Sequence, residues 1–125
     1  SLVNLKTLHC DENRLPSGSL VGVTKLKLQI LTAGGNCLGK EYIAEGENVL
    51  ISPLPEIPAT IKQIKLDANY FSSFPSQLVN PTLLKLEKLD ISMNNLASIP
   101  SEISNLKQLL ELNLDNNYIV SLPNE

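Results

Sequence analysis

Residues that build catalytic or metal centres are scarce in this chain of 125 residues. His9 is the only histidine, there are two cysteines, and aromatic residues make up 4% of the chain. A histidine-based metal cluster is therefore excluded. His9 and Cys10 cannot pair, because neighbouring residues of a strand point to opposite faces. Gly34-Gly35 lacks the following Lys-Ser or Lys-Thr of a phosphate-binding loop. We expect no enzyme activity, no cofactor and no metal.

Charge and hydropathy disfavour two classes of partner. The net charge is −3. A domain that neutralises phosphates is normally basic, so nucleic acid is not expected. No apolar run approaches the ~18 residues that a membrane-spanning helix needs, so no membrane partner is expected either.

The features typical of extracellular proteins are also missing. The two cysteines, Cys10 and Cys37, form no cluster at either end of the chain. Asn80-Pro81-Thr82 is not a glycosylation site, because proline occupies its middle position. No signal peptide is visible at Ser1. These observations predict a cytoplasmic protein, with a secreted effector as the alternative.

What the chain has is one pattern, Leu-x-x-Leu-x-Leu-x-x-Asn-x-Leu, repeated five times. Asn13 and Asn36 are 23 residues apart, as are Asn94 and Asn117, while the intervals on either side of Asn69 are 33 and 25. A repeat of this period decides the fold before any other feature. The copies begin at Leu5, Leu28, Ile61, Leu86 and Leu109.

The spacing within one copy has a physical explanation. The last two apolar residues before the asparagine are two positions apart, so they lie on the same face of a strand. A single short strand cannot bury that face, whereas stacked copies form a parallel sheet over a continuous core. The asparagine amide can satisfy buried backbone groups where the chain leaves the strand. We interpret five residues as this structural ladder: Asn13, Asn36, Asn69, Asn94 and Asn117.

This pattern resembles the leucine-rich repeat family over nearly the whole chain. The resemblance implies a mostly β, α/β solenoid of about five repeats that is right-handed and curved. Its parallel sheet would lie on the concave face, with short 3₁₀ or α turns and extended links on the convex face. Residues 1–125 would then form a single domain.

The segments between strands resemble two different subfamilies. The return after Asn94, with Ile99-Pro100, Ile103 and Leu106, is typical of the 23-residue repeats of intracellular scaffold proteins. The link Leu54-Pro55-Glu56-Ile57-Pro58 resembles the shorter repeats of bacterial effectors, which include ubiquitin ligases. Its prolines predict an extended link and not a helix.

Both ends of the repeat array look uncovered in the sequence. Terminal repeats need a polar cover over the exposed core, and none is visible here. We therefore expect a fragment of a longer array or of a larger protein. Dimerisation, or irregular segments over the ends, would be the alternative.

The outward-facing strand positions are the candidate partner-binding surface. These positions are polar and mildly acidic. They would either bind a partner that carries Lys or Arg or simply keep the sheet face soluble. Strong hot spots favour Trp, Tyr and Arg, so we expect modest affinity. The proposed partner-binding residues here are His9, Asp11, Thr32, Gln63, Lys65, Asp67, Lys88, Asp90, Ser92, Glu111, Asn113 and Asp115.

A second candidate surface is an irregular insertion at about residues 39–53. The interval between Asn36 and Asn69 is ten residues longer than the 23-residue period. The inserted stretch is acidic, and its Tyr42 and Glu45 are further candidates for partner binding. Long loops in compact folds often bind partners, although a tolerated surface insertion is the other explanation.

The sequence therefore predicts a protein–protein interaction module, a scaffold or adaptor for a protein partner. One alternative is the substrate-recognition region of a larger protein, such as a bacterial effector ubiquitin ligase or a kinase- or GTPase-linked protein. Another is a structural spacer. The chemistry of the larger protein would lie outside these residues.

Overall fold

The structure is a computed structural model that describes residues 2–40 and 53–123. Within these ranges five short parallel strands form one sheet in the order of the sequence, β1-β2-β3-β4-β5. The strands are β1 Thr7–His9, β2 Ile30–Thr32, β3 Gln63–Lys65, β4 Lys88–Asp90 and β5 Glu111–Asn113. The predicted mostly β solenoid of five repeats is confirmed.

The register of the sheet follows the repeat. The central apolar residue of each strand lies beside that of the next, so Leu8 pairs with Leu31, Leu31 with Ile64, Ile64 with Leu89 and Leu89 with Leu112. These positions point into the core, and the residues on either side of them point outward. The sheet therefore aligns equivalent outward residues of every repeat in rows.

Among the described residues, three short 3₁₀ turns lie on the return side, at Val21–Lys25, Ser76–Val79 and Ser101–Asn105. The last two begin directly after Pro75 and Pro100, whose fixed φ directs the chain into the turn. These turns agree with the short 3₁₀ or α turns that the resemblance implied. Residues 55–58 form neither helix nor strand, as their prolines predicted.

The core runs along the stack and is densest at its centre. Leu28, Ile61, Leu66, Leu86 and Ile91 are each fully buried. The outer turns contribute side chains that are only partly buried, since each has a neighbour on one side within the described residues. These are Leu5, Leu8, Cys10, Leu15, Leu109, Leu112, Leu114 and Ile119.

A left-handed residue precedes every ladder asparagine, a feature that the sequence analysis missed. Ala68, with φ of 53°, precedes Asn69, and Gly35, with φ of 68°, precedes Asn36. Glu12, Met93 and Asn116 occupy the same position in the other turns, also with positive φ. Glycine adopts this conformation without a Cβ penalty and asparagine tolerates it, so Gly35 and Asn116 were the sequence signals for it.

Candidate partner-binding face

The asparagine ladder fixes each turn to the next, and Asn69 shows how. Its side-chain amide nitrogen donates to the carbonyl of Ala33 at 2.8 Å and to those of Leu66 and Asp67 at 3.2 and 3.1 Å. Its side-chain oxygen accepts the backbone N–H of Leu38 at 3.2 Å. One side chain therefore bonds its own turn and the preceding one, and it is completely buried.

The ladder continues on both sides of Asn69 but changes at the ends. Asn94 accepts the backbone N–H groups of Asn69 and Phe71 at 2.9 and 3.0 Å. Asn117 accepts the N–H of Leu96 and is half-buried. Asn13 is exposed and bonds only carbonyls of its own turn. The structure thus places Asn36, Asn69 and Asn94 inside the stack and leaves Asn13 and Asn117 at its margins.

The concave face consists of the outward residues of the five strands and the residue two positions beyond each strand. The sheet brings them into three rows, because equivalent residues of neighbouring strands lie side by side. The rows are Thr7, Ile30, Gln63, Lys88 and Glu111; His9, Thr32, Lys65, Asp90 and Asn113; and Asp11, Gly34, Asp67, Ser92 and Asp115.

Three of these positions do not face solvent as expected. Gly34 is buried, and so are Thr32 and Ser92, each with 6% of its surface exposed. The Ser92 hydroxyl and backbone N–H donate to Asp90 Oδ1 at 2.7 and 2.9 Å. The expectation that Thr32 and Ser92 are open to a partner is therefore wrong, since neighbouring residues already engage their hydroxyls.

Thr32 belongs to a polar network at the junction of the first two turns. The Thr32 hydroxyl donates to Asp11 Oδ2 at 2.5 Å. Because its only proton is used there, Thr32 Oγ1 must accept the hydrogen bond from His9 Nδ1, which lies 2.6 Å from it. Asp11 Oδ1 accepts the N–H of Gly34 at 2.8 Å. This network holds His9 and Asp11 in place through internal bonds.

The environment of Asp11 changes its acidity. Burial by itself would raise the pKa of Asp11, but hydrogen bonds from Thr32 and Gly34 and the charge of Lys65 together hold that pKa below its ordinary value. Burial, reinforced by the charge of Asp11, raises the pKa of the Cys10 thiol. Cys10 packs against the core, and its thiol donates to the carbonyl of Thr32.

Asp67 occupies space that Gly34 leaves open. A Cβ atom at position 34 would collide with the Asp67 carboxylate, so a larger residue there would force the Asp67 side chain to move. Asp67 Oδ1 lies 3.7 Å from Lys65 Nζ, which is ion-pair distance, but accepts no hydrogen bond within the part of the chain that the structure describes. The Asp67 side chain is 13% exposed, so it contributes charge to the face more than contact area.

The accessible part of the concave face lies over β3, β4 and β5. A shallow groove of about 260 Å³ is lined there by Gln63, Lys65, Lys88, Asp90, Glu111 and Asn113, with Ile64 and Leu89 at its floor. Lys88 and Glu111 lie 3.9 Å apart, and their side chains are 57% and 65% exposed. Asn113 Oδ1 accepts the backbone N–H of Asp115. Asp115 itself is exposed, so its carboxylate can contact a partner.

Other candidates lie elsewhere. Tyr42 and Glu45, together with most of the expected insertion at 39–53, fall outside the described residues. Two other tyrosines are exposed: Tyr70 at 49% and Tyr118 at 70%. Each directly follows a ladder asparagine, and Lys40 stacks over the Tyr70 ring at 4.5 Å from its centroid. Their place directly after Asn69 and Asn117 is the feature of the sequence that could have identified these two tyrosines as exposed.

Within residues 2–40 and 53–123, no group of three or more His, Cys, Asp or Glu side chains could hold a metal ion. Across the same residues, no helix has both the length and the apolar character of a membrane span.

Comparison with known proteins identifies similar repeats. The sequence model of the family described as Leucine Rich Repeat matches residues 85–106. The chain is 34% identical to osteomodulin from Bos taurus over 118 residues, which cover 94% of this chain and 26% of that protein. It is 30% identical to Toll-like receptor 10 from Bos taurus over 98% of this chain and 14% of the receptor.

A solved structure agrees with the architecture. The crystal structure of an internalin from Listeria monocytogenes superposes with a TM-score of 0.67 and 24% identity, over 94% of this chain and 30% of that one. This likeness concerns the fold alone. The chain spans about a quarter of the length of the osteomodulin that it matches. None of these relatives supports the predicted cytoplasmic location.

Proposed function

Because this chain belongs to the leucine-rich repeat family, we propose that it is an interaction module that binds a protein partner across its concave face. Members of this family generally mediate protein–protein interactions. The observation that carries the proposal is the open groove over β3–β5, where Gln63, Lys88 and Glu111 present polar groups. The paired strands fix the backbone beneath these side chains, so little backbone conformational entropy is lost on association.

The chemistry of the groove suits a partner with charges of both signs. Lys65 and Lys88 would meet carboxylates, while Glu111 and Asp115 would meet Lys or Arg. The projected area of five short strands is roughly 350 Å², against about 800 Å² per partner in a standard interface. The partner therefore binds weakly through this face alone, or it also contacts another surface of the protein.

The role of the module is that of a scaffold or adaptor. The runner-up is the recognition region of a larger protein, because the chain spans only a quarter of the osteomodulin it resembles. Leu110 and Val120 are 78% and 91% exposed in the last turn, which supports residues 1–125 as part of a longer array. A structural spacer is the third candidate, and it would leave the concave face without any ligand.

Catalysis is not part of the proposed role. His9 is bonded to Thr32 on the concave face, while Cys10 packs against the core, so these two reactive side chains do not meet. The cytoplasm remains our proposed location because Cys10 and Cys37 are both free thiols. Mass spectrometry of alkylated protein from its source tests this: two labelled thiols support it, and a Cys10–Cys37 disulfide contradicts it.

Site-specific photocross-linking tests the binding face. A photoreactive residue at position 88 lies in the groove, whereas one at position 104 lies in the 3₁₀ turn Ser101–Asn105 on the opposite side. We expect a discrete adduct with a source-lysate protein from position 88 and none from position 104. The cross-linked protein is then purified and its direct affinity measured.

The charge-swapped variant Lys88→Glu with Glu111→Lys makes that affinity measurement specific. The variant preserves the net charge and exchanges the positions of the cation and the anion, which in the wild-type chain lie 3.9 Å apart. We expect about tenfold weaker binding, from two lost pairs of up to ~1 kcal/mol each. Equal affinity of the swapped and wild-type chains would exclude the concave face, and no adduct from either position would favour the spacer.

A further inference from the structure

Two adjoining cavities lie where the strands begin, beside the concave face. One of about 600 Å³ is lined by Lys6, Lys27 and Thr60, together with Gln29. The other, of about 210 Å³, is lined by Lys62 and Lys88 and again by Gln29. Both cavities are lined by Gln29, so they adjoin along this edge of the sheet from the first turn to the fourth. We call the two cavities together the N-edge groove.

The backbone sets the positions of its lysines. The N–H of Gln29 donates to the carbonyl of Lys6 at 2.7 Å, and the N–H of Lys62 donates to that of Gln29 at 2.7 Å. Lys6, Gln29 and Lys62 therefore lie side by side immediately before β1, β2 and β3. Lys27 is two residues earlier in the chain than Gln29 and lines the larger of the two cavities together with Lys6.

The charge of these lysines is uncompensated. Lys6, Lys27 and Lys62 are all exposed, and none of them forms an ion pair with the residues that the structure describes. Glu87, the first acidic residue lining the groove, appears only at the fourth turn. A chain with net charge −3 therefore carries a local positive groove over its first three turns. Such a groove attracts anions more strongly than the net charge suggests.

We propose that the N-edge groove binds an extended acidic peptide segment of a partner protein. Lys6 and Lys62 are two strands apart, which is roughly 10 Å at ~4.8 Å per strand. A peptide in the extended polyproline II conformation rises ~3.1 Å per residue with about three residues per turn, so carboxylates three residues apart lie on one side of it, roughly 9 Å apart, which is close to that separation. A peptide laid across the strands would thus place successive acidic residues opposite successive lysines.

The lining favours a peptide over a sulfated polysaccharide. The groove contains no arginine, the residue whose planar fork suits sulfate and phosphate groups. Gln29 and Gln63 offer both donors and acceptors, as a peptide backbone requires. Leu5 and Ile30 add apolar walls that suit side chains between the acidic residues.

Fluorescence anisotropy with defined probes tests the proposal. The first probe is a fluorescein-labelled peptide with glutamate at every third position, separated by Gly and Ser. The second has the same composition with its glutamates consecutive, and the third is a labelled heparin tetrasaccharide. The variant is Lys6→Gln, Lys27→Gln, Lys62→Gln in the full chain. The matched control is Arg14→Gln, Lys25→Gln, Lys107→Gln, which removes the same three exposed charges elsewhere.

We expect the spaced peptide to bind the wild-type chain more tightly than the consecutive one. The groove variant should bind it about tenfold more weakly, because three exposed ion pairs are lost, while the control stays within about twofold. If circular dichroism shows that the triple variant is unfolded, the single changes Lys6→Gln and Lys62→Gln each weaken binding about twofold.

Three results would overturn the proposal. Equal weakening by the groove variant and the control would mean that net charge alone attracts the probe. Equal affinity for the two peptides would mean that the lysine spacing selects nothing. Lysine-dependent binding of heparin without binding of the spaced peptide would assign the groove to a polysaccharide.

Discussion

The middle and the ends of this solenoid carry the same motif and differ in what surrounds it. Asn69 in the third turn is completely buried and bonds two turns, while Asn13 in the first turn is exposed and bonds only its own. Leu66 is fully buried, whereas its equivalent Leu114 is half-buried. The motif specifies the local conformation of each turn, but the turns stacked on either side determine how much that copy contributes to the stability of the fold.

This difference bears on function, since the accessible concave groove over β3–β5 extends from the centre to the last turn. A partner that binds there contacts the third turn, which packs against a neighbouring turn on both sides, and the fifth turn, which packs against one on a single side within the described residues. The N-edge groove runs the other way, from the first turn to the fourth. Substitutions at equivalent positions therefore separate the contribution of the motif from that of its surroundings.

The largest expected contrast is between Asn69→Ala and Asn13→Ala. Loss of the Asn69 amide leaves the buried N–H of Leu38 without its partner and removes one of the two hydrogen bonds that the carbonyl of Ala33 accepts, the other coming from Asn36. We expect the free energy of unfolding to fall by about 3 kcal/mol, because a buried unsatisfied group costs ~1–3 kcal/mol and each further lost hydrogen bond adds ~1 kcal/mol. Asn13→Ala should cost less than ~1 kcal/mol. Urea denaturation followed by circular dichroism measures both, and equal losses would refute the contrast.

A core truncation should give the next largest contrast. Leu66→Ala removes a fully buried side chain from between two turns and should cost about 3 kcal/mol. Leu114→Ala truncates the equivalent half-buried side chain and should cost about 1 kcal/mol. Thermal unfolding of the two variants side by side tests this, and a larger loss for Leu114→Ala would mean that the fifth turn supports the core.

Two glycines, one packed between turns and one open to solvent, extend the comparison to steric fit. A Cβ at position 39 would lie 2.5 Å from the backbone nitrogen of Phe71, where the second and third turns pack, whereas one at position 22 meets nothing within 4 Å. Gly39→Ala should therefore cost about 2 kcal/mol by overpacking. Gly22→Ala should be neutral or stabilise by ~0.5 kcal/mol. Chemical denaturation reports both, and tolerance of alanine at 39 would contradict the close packing of these turns.

The smallest expected effect concerns pH at the junction of the first two turns. The pKa of Asp11 is lowered in the folded chain, so its stabilising contribution is present above its unfolded pKa of about 3.9 and is lost as pH falls through the folded pKa. Thr32→Val removes one hydrogen bond to that carboxylate and should cost about 1 kcal/mol at pH 7.

At pH 2 the same substitution should cost less, because a protonated Asp11 no longer needs the bond. NMR titration of the Asp11 carboxyl should show its pKa higher in Thr32→Val than in the wild type. An unchanged pKa would mean that Thr32 does not hold the carboxylate in its ionised form.

The sequence predicted the repeating elements well and the surface less well. Strands, order and the ladder positions follow from the period, because each recurs at the same offset from an asparagine. The burial of Thr32 could not be predicted, since it depends on Asp11 and His9 of the neighbouring turn. The N-edge groove was missed because Lys6 and Lys62 come to lie on the same edge of the sheet only through its register, across an interval of irregular length.

Residue-resolved hydrogen exchange of the free chain tests most directly whether the centre is held by its ladder. The backbone amides of Leu38, Asn69 and Phe71 donate to ladder asparagines inside the stack, while that of Tyr118 bonds a carbonyl at the margin. We predict exchange at least tenfold slower for the first three than for Tyr118, because their opening requires the centre to unfold. Uniform protection along the chain would contradict this account and would mean that all five turns unfold as one.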